Sequence, residues 1–552
     1  MVVKKITNKV AKNVMGLANS KYSKLKQSKY IYGYYGRFLI FLMLILFGII
    51  LVKLSPTSNI KNELNIAVLN SNLVLDIHKS NNVYNDLILK DLYEGLVEID
   101  GGNNIISAIA TKWIINYDYT IYRFYLKKSY WSNGEPLVAD DFVFAFKKIL
   151  DDHSFSSNAY LLFNIEGAID YFNGNKDKLA IKSINDYTLE IKLVNPDDKF
   201  LNKLDSPAFY PLPSKSSDKQ SSQWLSGNNI ITNGAYKILD FQPNNYLRLT
   251  KNTYYQEIKN SYKDVKYIFL NDVKKAIKMY NDKQLTMVIN IPANFYQQTY
   301  DDYGKSVLFT NNRFINYFLV NKDNNKSTLL DKDIRRYLFF AVNNSIKNFY
   351  NSDNLKGIIP IDVLIQSQNY DVLSDFNMEE LKNLILSKGY SNNNPIRINI
   401  LYKTSILNEV VLKSISKELL QFNIQINLQG EQNSSYYNKI LQGDFEIALV
   451  DVNYNQFEEF DIFHKINFDM NNNINNNKDN GFSKNILNAK LTKDGQIKNN
   501  YYFKAQNILL NDSYYIPLFI NQNLVLFNNK IDRYKISNMY FYRSKNLKFN
   551  QN

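Results

Sequence analysis

The stretch from Trp131 to Leu193 constrains the fold more than any other part of the chain, because three local signals follow one another in it. Trp131-Ser132-Asn133-Gly134-Glu135-Pro136 is turn chemistry, with Gly134 free to take a positive φ. Asp140 or Asp141 can cap a following helix. Phe142, Val143, Phe146, Ile149 and Leu150 then recur on one helix face. Leu189, Ile191 and Leu193 alternate with Thr188, Glu190 and Lys192, the period of a half-buried strand. These signals predict a helix and a strand; they do not give a function.

At 552 residues the chain has room for two or three domains with their own cores. It contains no cysteine, which excludes disulfides, thiolate metal sites and cysteine nucleophiles. Its three histidines (His78, His153, His464) are scattered, a poor basis for a zinc site. Neither G-x-S-x-G nor H-E-x-x-H occurs, and Gly304-Lys305-Ser306 lacks the upstream glycine of a phosphate loop. Acidic pairs such as Asp140-Asp141 and Glu458-Glu459 read as caps and solvated faces. With no nucleophile–base or metal set, the expectation is a binding protein that is not an enzyme and needs no cofactor.

Charge is unevenly placed. Ten of the 66 basic residues and none of the 52 acidic ones fall in residues 1–54, which leaves 56 against 52 for the rest. A near-neutral body gives no support for nucleic-acid binding. Phe38 to Val52 is an unbroken apolar run of fifteen between Arg37 and Lys53. That is short for a spanning helix, which needs about 20 residues, and suits a signal-peptide core. The long basic arm, Tyr30, Tyr32, Tyr34 and Tyr35, and a poor cleavage site at Ser55-Pro56-Thr57 favour an uncleaved signal anchor. The basic arm 1–37 then stays inside and the body is exported.

Further along, Leu64 to Leu69 reads as a strand, followed by Leu75-Asp76-Ile77-His78-Lys79 and by Asp91-Leu92-Tyr93-Glu94-Gly95-Leu96, whose glycine reads as a helix C-cap. Ile105 to Trp113 leads into a strand, Thr120 to Leu126. Ser206 to Pro213 is a crossing segment, and Asn233-Gly234-Ala235-Tyr236 precedes the strand Tyr246-Leu247-Arg248-Leu249. Asn316 to Asn321 is a strand, Asp331 to Asn344 a helix, Gly357-Ile358-Ile359-Pro360 a loop, and Glu379 to Tyr390 an amphipathic helix. Ile398 to Tyr402, Glu409 to Gln421 and Ile424 to Leu428 form a strand–helix–strand unit. Residues 470–480 are low complexity, a loop insertion. Tyr501 to Leu510 is a helix, followed by Ile516-Pro517-Leu518.

Taken in order, these blocks resemble the extracytoplasmic solute-binding proteins of peptide-type ABC importers, the oligopeptide/dipeptide-binding family 5. That family reads roughly W-S-N-G-x-P-x-x-A-x-D-F, then D-x-Y-T-L-x-I-x-L, and carries D-L-[FY]-E-G-L and N-G-A-Y where this chain has Asp91 to Leu96 and Asn233 to Tyr236. The resemblance spans about 62–530. It implies an α/β, two-lobed periplasmic-binding-protein fold of type II kind with an extra subdomain in lobe I. The expected boundaries are a basic arm 1–37, a transmembrane or signal-anchor segment 38–54, lobe I from 62–104, 205–290 and 513–546, the inserted subdomain 105–204, and lobe II 291–512.

The resemblance also implies a short peptide ligand held between closing lobes, delivery to an ABC permease in the inner membrane, a monomer without nucleic acid, and a place on the periplasmic side. The alternative is a membrane-tethered peptide sensor or peptide-holding chaperone with the same fold. Ligand contacts are expected from Asn81, Asn82 and Val83 after the Asp-x-His loop, from Asn158 or Tyr160, from Asn233 and from Tyr317. The family's run containing an ammonium-binding Asp falls on Asp451-Val452-Asn453-Tyr454-Asn455-Gln456-Phe457-Glu458, where Asn453 or Asn455 stands in its place. Asp451 or Glu458 would then substitute, or the ligand lacks a free amine at that end.

Overall fold

A computed structural model of the chain describes residues 63–69, 73–80, 83–100, 104–151, 158–215, 229–255, 261–292, 295–321, 327–347, 377–453, 481–492, 494–528 and 542–547, with single positions at 102, 324, 463 and 531. The expectations for the arm and apolar run before Leu54, for His153, Gly357 to Pro360, Asn81, Asn82, Asn455, Glu458, His464 and residues 470–480 lie outside them. Among the described residues, no helix is long and apolar enough to cross a membrane.

In chain order, the first half contains β1 (Glu63–Val68), α1 (Val83–Leu92), β2 (Ala110–Ile115), β3 (Ile121–Leu126), α2 (Ala139–Asp151), β4 (Ile181–Asn185), β5 (Thr188–Lys192), β6 (Tyr236–Gln242), β7 (Tyr246–Lys251), β8 (Asp264–Phe269) and β9 (Met287–Pro292). There follow β10 (Val307–Val320), α3 (Lys332–Lys347), α4 (Met378–Ser387), β11 (Ile396–Lys403), α5 (Ile406–Leu419), β12 (Ile424–Glu431), α6 (Asn433–Gln442), β13 (Ile447–Asn453), α7 (Phe482–Leu491), α8 (Gly495–Asn511) and β14 (Tyr515–Phe527). Among the described residues one ten-stranded sheet runs in the order β6-β7-β8-β1-β9-β14-β10-β13-β11-β12, and a separate four-stranded sheet in the order β2-β3-β5-β4.

The large sheet carries two lobes. Leu64, Ile66, Val68, Met287, Val525 and Phe527 belong to one core, which also takes in Trp131, Phe142, Phe146, Leu189 and Ile191 around the small sheet. Ile315 to Val320, Ile396 to Ile400, Leu449, Leu510 and Ile516 belong to a second core. Strands β10 and β14 pass from one to the other, paired antiparallel along their length, with register shifts between Asn311 and Ile315 and again at Asn316 and Tyr317. Such bulges bend a strand and raise its local twist without ending the pairing.

Local predictions are met where one chain segment decides them. Gly134 has φ +89, α2 buries Phe142, Phe146, Ile149 and Leu150, and β5 buries Leu189 and Ile191. Three expectations are corrected. Asp141 is a buried hub, not a cap: Oδ2 accepts from Trp131 Nε1 and Val138 N–H, both at 3.0 Å. Its Oδ1 accepts from Ser214 N–H at 2.9 Å and Oγ at 2.6 Å, which ties the turn to the crossing segment. Gly95 does not cap α1, which ends at Leu92. A Cβ there would stand 2.6 Å from the Tyr210 ring, so the glycine is a close approach. Helix α8 begins at Gly495, six residues before the expected Tyr501, because Asp494 accepts from the N–H groups of Gln496 and Ile497.

The last described segment is held by buried charge. Lys90 Nζ lies 2.6 Å from Asp205 Oδ2 with both side chains fully buried. Arg543 reaches Asp205 Oδ1 at 2.5 Å and Glu98 Oε1 at 3.0 Å, and Lys545 reaches Glu98 at 2.7 Å and Glu94 at 3.0 Å. Burial alone would raise the Glu98 carboxyl; Arg543 and Lys545 bring it down to about 2. Asp91 accepts from Ser544 N–H at 2.8 Å and Tyr267 Oη at 2.7 Å. Residues 542–547 are thereby stitched to α1, although some 450 residues separate them in sequence.

Two predictions follow from these buried groups. Asp205→Asn strands Lys90 and Arg543 without their shared carboxylate, so it should cost about 3–5 kcal/mol, read as a fall in the denaturation midpoint. Asp86, in the first turn of α1, is pushed up to about 6 by burial, against the lowering effects of Ser80 and Lys90. Its folded-state value lies above the unfolded one, so stability from its protonated form is full below about pH 4 and lost as pH rises through about 6. Asp86→Asn should therefore flatten the melting-temperature profile between pH 4 and 7, measured by thermal scans against the parent chain.

Candidate functional site

Strand direction places the site. β1, β8 and β9 run parallel in the first lobe, and β9 is antiparallel to β14. They therefore share the direction of β10, from the first core towards the second. β11, β12 and β13 are parallel to one another, and β13 is antiparallel to β10. They point back at the first core. The carboxyl ends of both parallel sets thus face each other across the β10–β14 crossing, and crevices outside carboxyl strand ends are where open α/β sheets bind ligands.

The first-lobe wall is the loop after β1. Asp76 Oδ1 accepts from His78 N–H at 3.0 Å, and Lys79 N–H donates to the Asp76 carbonyl at 3.1 Å. Ser80 Oγ donates to Asp86 at 2.5 Å, and its carbonyl accepts from Asn158 Nδ2 at 2.6 Å. The loop is thereby fixed to α1 and to the segment carrying the small sheet. Tyr160 is buried in the same short helix that follows Asn158. Val83 opens α1. Asn290, missed in the sequence, takes φ +68 and donates from Nδ2 to the Leu69 carbonyl at 2.9 Å, holding the exit of β1. Asn tolerates that backbone region better than other non-glycine residues, the one signal that marks it.

The second-lobe wall is built from the ends of β11, β12 and β13. Thr404 N–H donates to the Glu431 carbonyl at 2.9 Å, Ser405 Oγ caps α5 through Asn408 N–H, and Asn408 Nδ2 returns to the Lys403 carbonyl at 2.8 Å. Lys403 Nζ lies 3.8 Å from Asp451 Oδ1, with side chains 14% and 28% exposed. Burial pulls the Lys403 ammonium down, but Tyr437 and Asp451 outweigh it and its pKa is raised. Lys439 and Ser435 bond Glu431 at 2.6 and 2.8 Å at the same end. Asn453 ends β13, paired with Phe314 at the crossing.

The expected contacts divide accordingly. Val83 opens α1 and Asn158 bonds the loop after β1, while Asp451 and Asn453 lie at the carboxyl end of β13. Tyr317 is buried in the second core, its ring centroid 5.1 Å from that of Tyr515. Asn233 stands apart. Its Oδ1 accepts from Glu94 N–H at 3.1 Å and its Nδ2 donates to the Glu94 carbonyl at 2.9 Å. It precedes the start of β6, at the sheet edge opposite the crevice. Beside it a Gly234 Cβ would come within 2.5 Å of the Leu92 backbone. The Asn-Gly pair clasps the end of α1.

One ion pair joins the lobes away from the crossing. Asp197, after β5 in the first lobe, lies 2.8 Å from Lys203 and 3.8 Å from Lys490 in α7 of the second, and the Asp197 and Lys490 side chains are 2% and 7% exposed. Burial would raise the Asp197 carboxyl; Lys203 and Lys490 outweigh it and hold it below the usual range. Among the described residues no group of His, Cys, Asp and Glu could hold a metal ion.

This chain is similar to known proteins over most of its length. It is 26% identical over 475 residues to the periplasmic oligopeptide-binding protein OppA of Salmonella typhimurium, covering 82% of this chain and 86% of the relative. The structure of the Escherichia coli murein tripeptide binding protein MppA matches with a TM-score of 0.79 at 22% identity, covering 88% and 98%. Haemophilus influenzae OppA in complex with the peptide RPPGFSPFR matches with a TM-score of 0.78 at 21% identity, covering 88% and 99%. The family model for the middle region of bacterial extracellular solute-binding proteins, family 5, matches residues 104–473. With two lobes, facing carboxyl ends and that match over more than half its length, the chain belongs to the bacterial extracellular solute-binding proteins of family 5.

Proposed function

We propose that the protein captures short peptides between its two lobes and delivers them to an ABC permease. The observation that carries the reading is the facing of the two sets of strand ends across a crossing of two bulged strands. A lobe pair joined in this way closes by bending at the crossing. A peptide lying extended in the crevice offers a main chain that every sequence shares, so backbone hydrogen bonds supply affinity and hydrated pockets tolerate side chains. Kinship with oligopeptide- and murein-peptide-binding proteins supports the ligand class.

In this reading residues 105–204 form a subdomain inserted in lobe I, and the crevice is bordered by Asn81, Asn82 and Val83, by Asn158 and by the Asp451 to Glu458 run. The body works as a monomer on the periplasmic side, held at the inner membrane by the apolar run Phe38 to Val52.

The test is native mass spectrometry of the full-length chain purified in detergent from its host. Bound peptides of a few residues are expected, and an intact N-terminus reports the anchor. An empty protein that no peptide pool stabilises in a thermal scan overturns the ligand class. The inter-lobe pair gives a second test. Lys490→Met leaves Asp197 its nearer partner Lys203, so the fold should hold while closure weakens. Peptide dissociation should speed up about threefold to tenfold by stopped-flow, since a lost partner at a partly desolvated pair acts mainly on the off-rate. An unchanged off-rate would show that Lys490 has no part in closure.

A further inference from the structure

We propose that Lys403 is the group with which the crevice reads a carboxylate of its ligand, and that Asp451 and Tyr437 position it. The proposal rests on the peptide reading above and assigns the chemistry of one end of that site.

Lys403 is the last residue of β11, and Asp451 lies in the neighbouring strand β13 close to its carboxyl end. Both therefore sit where the second lobe faces the first. The ammonium is mostly covered, and the charges beside it hold it protonated. Its neighbour Lys439 differs: it is paired at 2.6 Å with Glu431, and both side chains are more than a quarter exposed, an ordinary surface contact. Lys403 is held more deeply, and its backbone is fixed too, through Asn408 Nδ2 on its carbonyl and the Thr404 bonds to Glu431. A lysine has three donors and no acceptor. Among the described residues its partners are Asp451 at 3.8 Å and Tyr437, which leaves a third donor for an incoming oxygen.

The same pair argues against Asp451 as the receptor of an α-ammonium. A second cation brought to that carboxylate would stand beside the Lys403 ammonium, and like charges at such a range repel strongly where water is scarce. A carboxylate from the ligand meets a cation that Asp451 already holds at 3.8 Å. The source of that carboxylate is either the peptide's C-terminus or an acidic side chain.

The experiment uses the full-length chain and isothermal titration with alanine peptides of three to five residues, each as free acid, C-terminal amide and N-acetyl form, plus amides carrying one glutamate. The parent chain should bind the free acids about tenfold or more tighter than the amides, as for a hydrogen bond to a charged group. Lys403→Met should reduce that ratio to less than about threefold, and Lys403→Arg should restore it, which separates loss of charge from loss of fold. A glutamate amide that regains acid-like affinity identifies the side chain as the source; one that does not identifies the C-terminus. Acid and amide binding the parent chain equally, or Lys403→Met keeping the full ratio, overturns the inference. So does a penalty for N-acetylation that Asp451→Asn abolishes, since Asp451 would then be reading the amine. If no peptide form binds the parent chain, the ligand class itself falls.

Discussion

Strands β10 and β14 keep their ladder of backbone hydrogen bonds from one hydrophobic core to the other, and the rest of the molecule depends on that crossing. Their sequences show how it is possible. Val307-Leu308-Phe309 and Phe318-Leu319-Val320 are apolar, while Thr310-Asn311-Asn312-Arg313 between them is polar; in β14 Asn521-Gln522-Asn523 falls in the same middle zone. The described ends of both strands are buried, Val307, Leu308 and Phe318 to Val320 in β10 and Tyr515, Ile516 and Leu524 to Phe527 in β14, and the register shifts between those ends let the ladder bend.

The direction of these two strands also fixes the direction of everything paired to them. Because β9 and β13 lie antiparallel to β14 and β10, the parallel set of each lobe must point at the other lobe. Binding loops then need no special placement; they are the connections that leave the strand ends. What they need is stiffness. In the first lobe Asn158 and Asn290 supply it by donating to the Ser80 and Leu69 carbonyls, and Asp86 by accepting from the Ser80 hydroxyl. In the second, Thr404, Ser405 and Asn408 do the same. Several polar side chains at these strand ends are thus spent on the chain's own backbone, while Lys403 with Asp451 and Lys439 with Glu431 are held by charge, the first pair the more deeply covered.

Much of the architecture was readable before any coordinates. Periodicity alone gave α2, β5 and the β11–α5–β12 unit, since each buries a face that its own sequence defines. The family resemblance supplied the two-lobed α/β fold, which the solved relatives share. The site was far less legible. Asp197 and Lys490 are separated by nearly 300 residues, Lys403 and Asp451 by nearly 50, and no local pattern announces either pair. Asn233 lies in a recognisable run, Asn-Gly-Ala-Tyr, and its side chain is bonded to the Glu94 backbone just past α1, where a Cβ on Gly234 would collide with Leu92. A motif can be specific for a fold and silent about the ligand. Asp141 shows the same: an expected cap is the junction of the Trp131 turn and Ser214.

The energetics of closure explain why the inter-lobe contact is an ion pair of this kind. A receptor that must release its cargo needs open and closed states within a few kcal/mol of each other, because a ligand can tip the balance only by its differential affinity. An apolar seam between the lobes would stabilise closure outright and trap the ligand. A buried ion pair behaves differently, since the desolvation of both charges offsets most of their attraction. Asp197 remains compensated in either state because Lys203 belongs to its own lobe, at 2.8 Å against 3.8 Å for Lys490. Opening therefore exposes no stranded carboxylate. The contact lends closure a small bias and some orientation, and the larger share of the driving force is left to what lies in the crevice.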